Sequence, residues 1–366
     1  MICRSAKCGL KKAARHINIE KMLISEFDYE LPEELIAQEP LAERSASRML
    51  VVNRAAGNWR DEQFKNFPAF LQKGDVLVLN NTKVFPARLI GNRENFTGKI
   101  EIFLVREIEK NVWEALARPA RRMKAGTNLV FGEGELQARV LDKTTDGRIV
   151  VNFQSERDFY EILEAVGQTP LPPYIHREEK PDQTDRERYQ TVFARERGAI
   201  AAPTAGLHFT PEILAEIGRC GVETAEITLH VGYGTFEPVR VENLSEHRVA
   251  PETSIISEET AEIVNRARAE NRRVVAIGTT TTRALESAAD ENGEISAGWR
   301  AANLTITPGY KFRAVNALLT NFHLPQSSLL VLVSTFAGHD LTMSAYKHAV
   351  AEKYRFYSYG DCMLII

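Results

Sequence analysis

The chain has 366 residues, 44% hydrophobic and 26% charged, with a formal net charge of −3 at neutral pH. That composition belongs to a globular chain long enough for roughly two domains with their own cores, and it excludes a disordered or fibrous protein. The slight acidity argues against a general polyanion binder, so any RNA partner has to meet a local basic patch. No apolar run approaches the ~20 residues of a membrane span. Cys3, Cys8, Cys220 and Cys362 form no C-x-x-C pair and no zinc-ligand spacing. Reduced thiols, no metal and a cytoplasmic location are therefore expected.

Residues 1–21 hold six Lys or Arg against one acid, Glu20, and no apolar periodicity. They read as a disordered basic extension, or as sequence ahead of a start at Met22, rather than as an RNA-binding arm. From Met22 the text is that of a folded domain. A short helix is expected from Pro32, a strand at 49–52 and an apolar strand at 74–79 that ends in Asn80-Asn81-Thr82-Lys83. Ligands of open α/β sheets sit at such carboxyl ends, although Asn clusters also serve plain turns.

Between 84 and 153 the period changes to two, with short strands expected at 87–91, 99–105, 112–117, 128–131, 136–141 and 148–153. Six strands without an intervening helix predict a small antiparallel β-barrel inserted into an α/β domain formed by 22–83 and 154–366. One loop of it carries Arg118, Arg121, Arg122 and Lys124 within seven residues. This is either a phosphate-holding cluster or a solvated basic turn. Ser155, with Asp158 as a capping box, starts a helix whose buried face is Phe159, Ile162, Leu163 and Val166. A long charged loop follows through Arg188. Strands and helices then alternate: a helix from Pro211, a strand at 222–231, a helix from Ser257 and a strand at 273–277. The fold class expected is α/β, a mostly parallel sheet flanked by helices.

Four corners gather polar residues at the ends of these elements. In Ala202-Pro203-Thr204-Ala205-Gly206-Leu207-His208-Phe209-Thr210, small residues leave room for a ligand, Gly206 permits positive φ, and Thr210-Pro211-Glu212 starts a helix just beyond His208. The positive end of that helix is expected to keep the His208 ring neutral. His230-Val231-Gly232-Tyr233-Gly234-Thr235-Phe236 offers backbone N–H groups at Gly232, Gly234 and Thr235. Gly278-Thr279-Thr280-Thr281-Thr282-Arg283 opens a helix bearing Glu286, a design suited to an anionic group, without the Gly-Lys-Ser/Thr of a nucleotide loop. Thr320-Asn321-Phe322-His323 precedes a Ser-capped apolar helix. Each corner alone also fits an ordinary turn, but four together point to one shared cleft. No G-x-S-x-G hydrolase elbow and no dinucleotide G-x-G-x-x-G after a strand is present.

Three of these corners, with Leu318-Leu319 ahead of Thr320-Asn321-Phe322-His323-Leu324-Pro325, resemble the S-adenosylmethionine:tRNA ribosyltransferase-isomerase family of queuosine biosynthesis. The resemblance extends over 22–366 and includes Leu35-Ile36-Ala37-Gln38, Asn81-Thr82, Pro86-Ala87-Arg88-Leu89, Leu171-Pro172-Pro173-Tyr174-Ile175 and Arg355-Phe356 with Ser358-Tyr359-Gly360-Asp361. Tyr233 and Thr281-Thr282 depart from the family's usual residues without removing a catalytic group. The resemblance implies a transferase that uses S-adenosylmethionine as ribosyl donor on a tRNA whose wobble base is an aminomethyl-deazaguanine. Adenine and methionine leave and epoxyqueuosine remains in the tRNA, with no cofactor beyond this co-substrate. Such chemistry needs a neutral base near pH 7. His208, His230 and His323 are the candidates, with His208 preferred and Glu286 orienting it or sharing protons. Pro203, Thr204, Gly206, Gly232, Gly234, Thr235, Gly278, Thr279, Thr280, Arg283 and Asn321 are the expected substrate contacts, the 278–283 turn holding the methionine carboxylate. Arg118, Arg121, Arg122 and Lys124 are the expected tRNA contacts, and a monomer is expected. The rival readings are a tRNA-binding module without catalysis and an S-adenosylmethionine-dependent RNA methyltransferase.

Overall fold

The computed structural model describes residues 22–177, 183–236 and 239–366; the basic extension at 1–21 and residues 178–182 of the charged loop lie outside the described residues. In chain order the first strands are β1 (Arg48–Asn53), β2 (Asn58–Gln63), β3 (Val76–Asn80) and the short β4 (Thr82–Val84). The next six are β5 (Arg88–Arg93), β6 (Lys99–Glu109), β7 (Val112–Arg118), β8 (Asn128–Phe131), β9 (Leu136–Lys143) and β10 (Ile149–Gln154). Then come α1 (Phe159–Val166), β11 (Gly167–Gln168), α2 (Gln183–Arg188), β12 (Glu196–Ala199), α3 (Pro211–Arg219), β13 (Glu223–Leu229), β14 (Glu252–Ile256) and α4 (Glu258–Ala269). The chain closes with β15 (Val274–Ile277), α5 (Thr279–Ala288), β16 (Gly298–Ala302), β17 (Ala317–Asn321), α6 (Ser328–Ala337), α7 (His339–Ala351) and β18 (Cys362–Ile365).

A nine-stranded sheet in the order β16-β14-β13-β3-β15-β17-β18-β1-β2 carries the α/β part. Its four central strands, β13, β3, β15 and β17, are mutually parallel. The flanks are largely antiparallel, at β17–β18, β1–β2, β13–β14 and β14–β16, so the sheet as a whole is mixed. Strands buried on both faces read as apolar runs rather than alternating ones, and the side chains divide by parity. Val76, Val78, Ala276 and Leu318 join the cluster under α4 to α7, whereas Leu77, Leu79, Val275, Ile277 and Leu319 face Phe64, Phe67, Phe209 and α3. The outer strands β2 and β16 are polar or exposed along most of their length, in keeping with their positions at the sheet edges.

The period-two segment closes into a six-stranded antiparallel barrel, β5-β6-β7-β10-β9-β8, sealed by β8 pairing back onto β5. Closure brings the strands so near at Gly91 that a Cβ there would lie 2.3 Å from the Val130 carbonyl oxygen. Only glycine fits. Phe159, Ile162 and Leu163 of α1 belong to the barrel's apolar cluster, so this helix packs on the barrel although the sequence division counted it with the α/β part. Its cap also differs from expectation. Asp158 is itself the N-cap, accepting from the Tyr160 and Glu161 amides, while the Ser155 hydroxyl donates to the Arg157 carbonyl. Elsewhere the start signals act as read: Thr210 caps α3, Ser257 caps α4 and Ser327 caps α6.

Candidate functional site

The carboxyl ends of the four parallel strands lie side by side and deliver His230 after β13, Asn81 and Thr82 after β3, Gly278 after β15, and Asn321 followed by His323 at the end of β17. Since β18 runs antiparallel to β17 and parallel to β1, the residues just before those two strands, Ser358 to Asp361 and Ser47, reach the same rim. From β13 to β1 the rim spans five strand spacings, roughly 24 Å at ~4.8 Å each. The 3₁₀ turn Thr204–His208 lies against the end of β17. A Cβ on Gly278 would be 3.8 Å from the Ala205 side chain, so this turn also meets the start of α5.

His208 is buried in that turn with both ring nitrogens engaged. Nδ1 lies 2.8 Å from the Ser47 hydroxyl and Nε2 lies 3.1 Å from Asn321 Oδ1. The Asn321 amide nitrogen donates to the carbonyls of Tyr357 and Ser358, which leaves its oxygen facing the ring. An amide oxygen only accepts, so the neutral imidazole carries its proton on Nε2 and keeps its lone pair on Nδ1, toward the Ser47 hydroxyl, whose single proton has two acceptors in reach: that nitrogen at 2.8 Å and the Arg44 carbonyl oxygen at 3.2 Å. Burial brings the His208 pKa down to about 4, with the Asn321 bond opposing and the charges of Arg44 and Arg355 adding to the depression. The ring is neutral as expected, but burial and not the mouth of α3 is the cause. A hydroxyl, an imidazole and an orienting amide in line form the geometry of a nucleophile or relay, a base and a positioning group. Ser47 and His208 line one pocket together with Arg44, Arg188, Ser358 and Tyr359.

The other two histidines stand apart from this array. His230 Nδ1 is 2.8 Å from the Thr82 hydroxyl, the ring is half-buried, and burial lowers its pKa against an opposing contribution from Glu196. His323 is buried with Nε2 at 2.8 Å from Thr320 Oγ1, and burial takes its pKa down to about 3.

Several expected contacts are otherwise engaged. Both Glu286 oxygens accept hydrogen bonds from one loop: the Tyr310 hydroxyl and Arg313 amide on Oε2, the Ala314 and Val315 amides on Oε1. That carboxylate clamps the chain entering β17 and does not touch His208. Arg283 is buried against Glu252 at 2.6 Å and also donates to the carbonyls of Ala302 and Leu304. Glu252, whose pKa burial raises and Arg283 pulls back, uses its other oxygen to hold the Gly232 amide at 2.9 Å. Arg283 and Gly232 are thus joined to each other through Glu252 and are not open to an anion. Among the hydroxyls of α5, Thr281 and Thr282 donate to carbonyls at the helix start, Thr279 is buried, and Thr280 Oγ1 is buried without a partner among the described residues.

Gly206 has no positive φ; it is glycine because a Cβ would come within 2.7 Å of Thr191 and 2.8 Å of Phe193. Pro203 and Thr204 begin the His208 turn, and Gly234 and Thr235 lie in a 3₁₀ turn whose Tyr233 packs edge-on against Phe103 of the barrel. Arg118, Arg121, Arg122 and Lys124 are exposed on the barrel, and none forms a salt bridge among the described residues. Sequence reading missed Arg44, Ser47 and Arg188. The first two precede a strand in Arg44-Ser45-Ala46-Ser47 and the third ends a charged run, so only their folding onto His208 singles them out.

A family profile described as queuosine biosynthesis protein matches residues 24–365. This chain belongs to that family. The S-adenosylmethionine:tRNA ribosyltransferase-isomerase of a Thermoanaerobacter strain is 52% identical to it over 344 residues, covering 93% of this chain and 99% of the relative. The protein of the same name from Syntrophotalea carbinolica is 52% identical over 347 residues, with 94% and 100% covered. A crystal structure of the S-adenosylmethionine tRNA ribosyltransferase from Thermotoga maritima is similar at 37% identity, with a TM-score of 0.53, 93% of this chain and 100% of that one being covered. These family relationships span both the barrel and the nine-stranded sheet.

The buried histidines make stability depend on pH. For His208 and His323 the folded-state pKa values, about 4 and about 3, lie below the ordinary value of 6.5, so the unfolded chain binds more protons between those limits. Their contribution is fully present above pH 6.5 and declines as pH falls toward 4. Melting temperature should drop across that window, and His208→Asn should reduce the slope. A profile unchanged by His208→Asn would place the ring's protonation elsewhere.

Proposed function

We propose that this chain transfers and isomerises the ribosyl moiety of S-adenosylmethionine onto the aminomethyl-deazaguanine wobble base of a tRNA, giving epoxyqueuosine in the tRNA with release of adenine and methionine. Family membership over residues 24–365 carries this reading. S-adenosylmethionine acts as co-substrate, and a monomer in the cytoplasm is the working state. No helix among the described residues is long and apolar enough to cross a membrane.

The reaction demands removal of a proton from the carbon beside the sulfonium, departure of the purine and attack by an amine in its free-base form. The proton acceptor assigned here is His208, acting through Ser47: the hydroxyl takes the substrate proton as its own passes to His208 Nδ1, with Asn321 holding the imidazole in the receptive tautomer. With a pKa of about 4 the ring is unprotonated at pH 7, but it is a weaker base than one poised near the operating pH. Its conjugate acid is correspondingly strong and returns the proton readily. The rim at the ends of β13, β3, β15 and β17 is long enough for a nucleoside-sized donor beside an extruded base, and the exposed cations at 118–124 would take backbone phosphates.

Incubating the protein with S-adenosylmethionine and precursor tRNA should release adenine and methionine. S-adenosylhomocysteine would instead support methyl transfer, and no turnover would support a binding module. His208→Ala should lower kcat by roughly 10²- to 10⁴-fold, the range of general-base catalysis, with little change in donor Kd, and Ser47→Ala should follow it. Near-normal turnover in His208→Ala, with the loss appearing in His230→Ala, would move the base to the β13 end of the rim. Exchanging Arg121 and Arg122 for Ala should raise the KM for tRNA and lower the log–log salt slope by roughly 0.7 to 0.9 for each phosphate no longer neutralised. An unaltered slope would remove the loop from the tRNA interface.

A further inference from the structure

Arg44 and Arg188 line the His208 pocket and the charge of Arg355 acts on the His208 ring; none of the three forms a salt bridge among the described residues, a lack they share with the half-buried Arg268 and Arg300. Arg283 faces Glu252, Arg273 faces Asp75 and Arg177 faces Asp185. By contrast, among the described residues, Arg44 donates only to the carbonyls of Leu207 and Glu187, at 3.1 and 3.0 Å, and Arg188 only to those of Ala42 and Leu41, at 2.8 and 2.7 Å. The Nε of Arg188 is buried with no partner among them. Arg355 is alike: one nitrogen donates to the Glu39 carbonyl, and Nη1 is buried and unpartnered. Backbone carbonyls hold these forks in place but neutralise nothing. Of the neighbouring carboxylates, Asp185 is committed to Arg177, while Asp361 accepts from the amides of Arg48 and Arg355 and supports the Arg355 charge without a salt bridge, which leaves Arg44 and Arg188 the less compensated pair. Partly buried cations that repel one another are costly unless an anion completes them, and burial together with the charge of Arg188 lowers the Arg44 pKa to about 10.

We propose that the pocket walled by Arg44 and Arg188 beside Ser47 and His208 is an oxyanion subsite for a carboxylate or phosphate group of the substrate. The proposal deepens the reaction assigned above and rests on it. Where the carboxylate is the occupant, the subsite takes the place of the 278–283 turn as anchor, since Arg283 is consumed by Glu252. A planar guanidinium held by its outer nitrogens, with its Nε buried and unpartnered, suits an oxyanion. An anion here would stand next to the Ser47 hydroxyl, which aligns the rest of the substrate with the proton acceptor. The two sources of such a group are the methionine carboxylate of the donor and a backbone phosphate of the tRNA.

The test uses the full-length protein with S-adenosylmethionine, its decarboxylated analogue and precursor tRNA, in wild type, Arg44→Gln and Arg188→Gln. If the carboxylate occupies the subsite, wild type binds S-adenosylmethionine roughly 10- to 100-fold more tightly than the analogue, and Arg188→Gln abolishes the difference. If a phosphate occupies it, donor affinity is unchanged and the tRNA salt slope falls by about 0.7 to 0.9. Inorganic phosphate should compete with whichever ligand uses the site. Absence of competition with both in wild type overturns the proposal without recourse to a variant, as does a folded Arg188→Gln protein with neither response. Adenine release by the same wild-type sample separates the two claims. Turnover without any arginine or phosphate effect refutes the subsite alone, and a phosphate effect without turnover refutes the reaction alone.

Discussion

The site depends on how the Asn321 amide is held. At the end of β17 its nitrogen donates to the carbonyls of Tyr357 and Ser358, where the chain turns toward β18, and its oxygen is thereby committed to His208. One side chain thus joins the last parallel strand, the approach to the C-terminal strand and the turn ahead of α3. With an acceptor on Nε2, the lone pair of the ring faces Ser47, which ends the loop leading into β1. Leaving any of these buried polar groups unpaired would cost about 1–3 kcal/mol, so the tautomer and the fold of the rim are set together.

The sheet makes that convergence possible. Four parallel strands end on one rim, and the antiparallel return of β18 brings in the segments before β18 and β1, which a purely parallel sheet would have left at the opposite edge. Charges that could have served the chemistry are spent on holding loops: Glu286 fixes residues 310 to 315, and the Arg283–Glu252 pair ties α5 to the turn at Gly232. At the other end of the rim Arg44 and Arg188 stand beside His208, held by backbone carbonyls and without a salt bridge among the described residues. The barrel contributes a second uncompensated surface at 118–124, reached by solvent and far more dependent on ionic strength.

Local pattern carried much of this in readable form. The six barrel strands follow from alternation and turn residues, the central strands from apolar runs such as Val76 to Leu79, and the starts of α3, α4 and α6 from Thr210, Ser257 and Ser327. Long-range pairing was not readable. β2, with the sequence Asn-Trp-Arg-Asp-Glu-Gln, has no apolar signal because it is an edge strand, and β18 acquires its place only by lying between β17 and β1. The site divides in the same way. His208 and Asn321 were evident as chemistry-bearing types in Gly- and Pro-rich corners, but the contacts that define their roles bridge 161 residues to Ser47 and 113 to each other. Arg283 and Glu286 looked available because a sequence does not display the partner that occupies a buried charge.

The most direct test of this account is the ring of His208 itself, observed by nitrogen-15 NMR on histidine-labelled protein and assigned by comparison with His208→Asn. The account predicts a neutral imidazole with the proton on Nε2 and an unprotonated Nδ1 from pH 8 to about pH 5, titrating only toward its pKa of about 4. An imidazolium at pH 7, or a neutral ring with its proton on Nδ1, would contradict it.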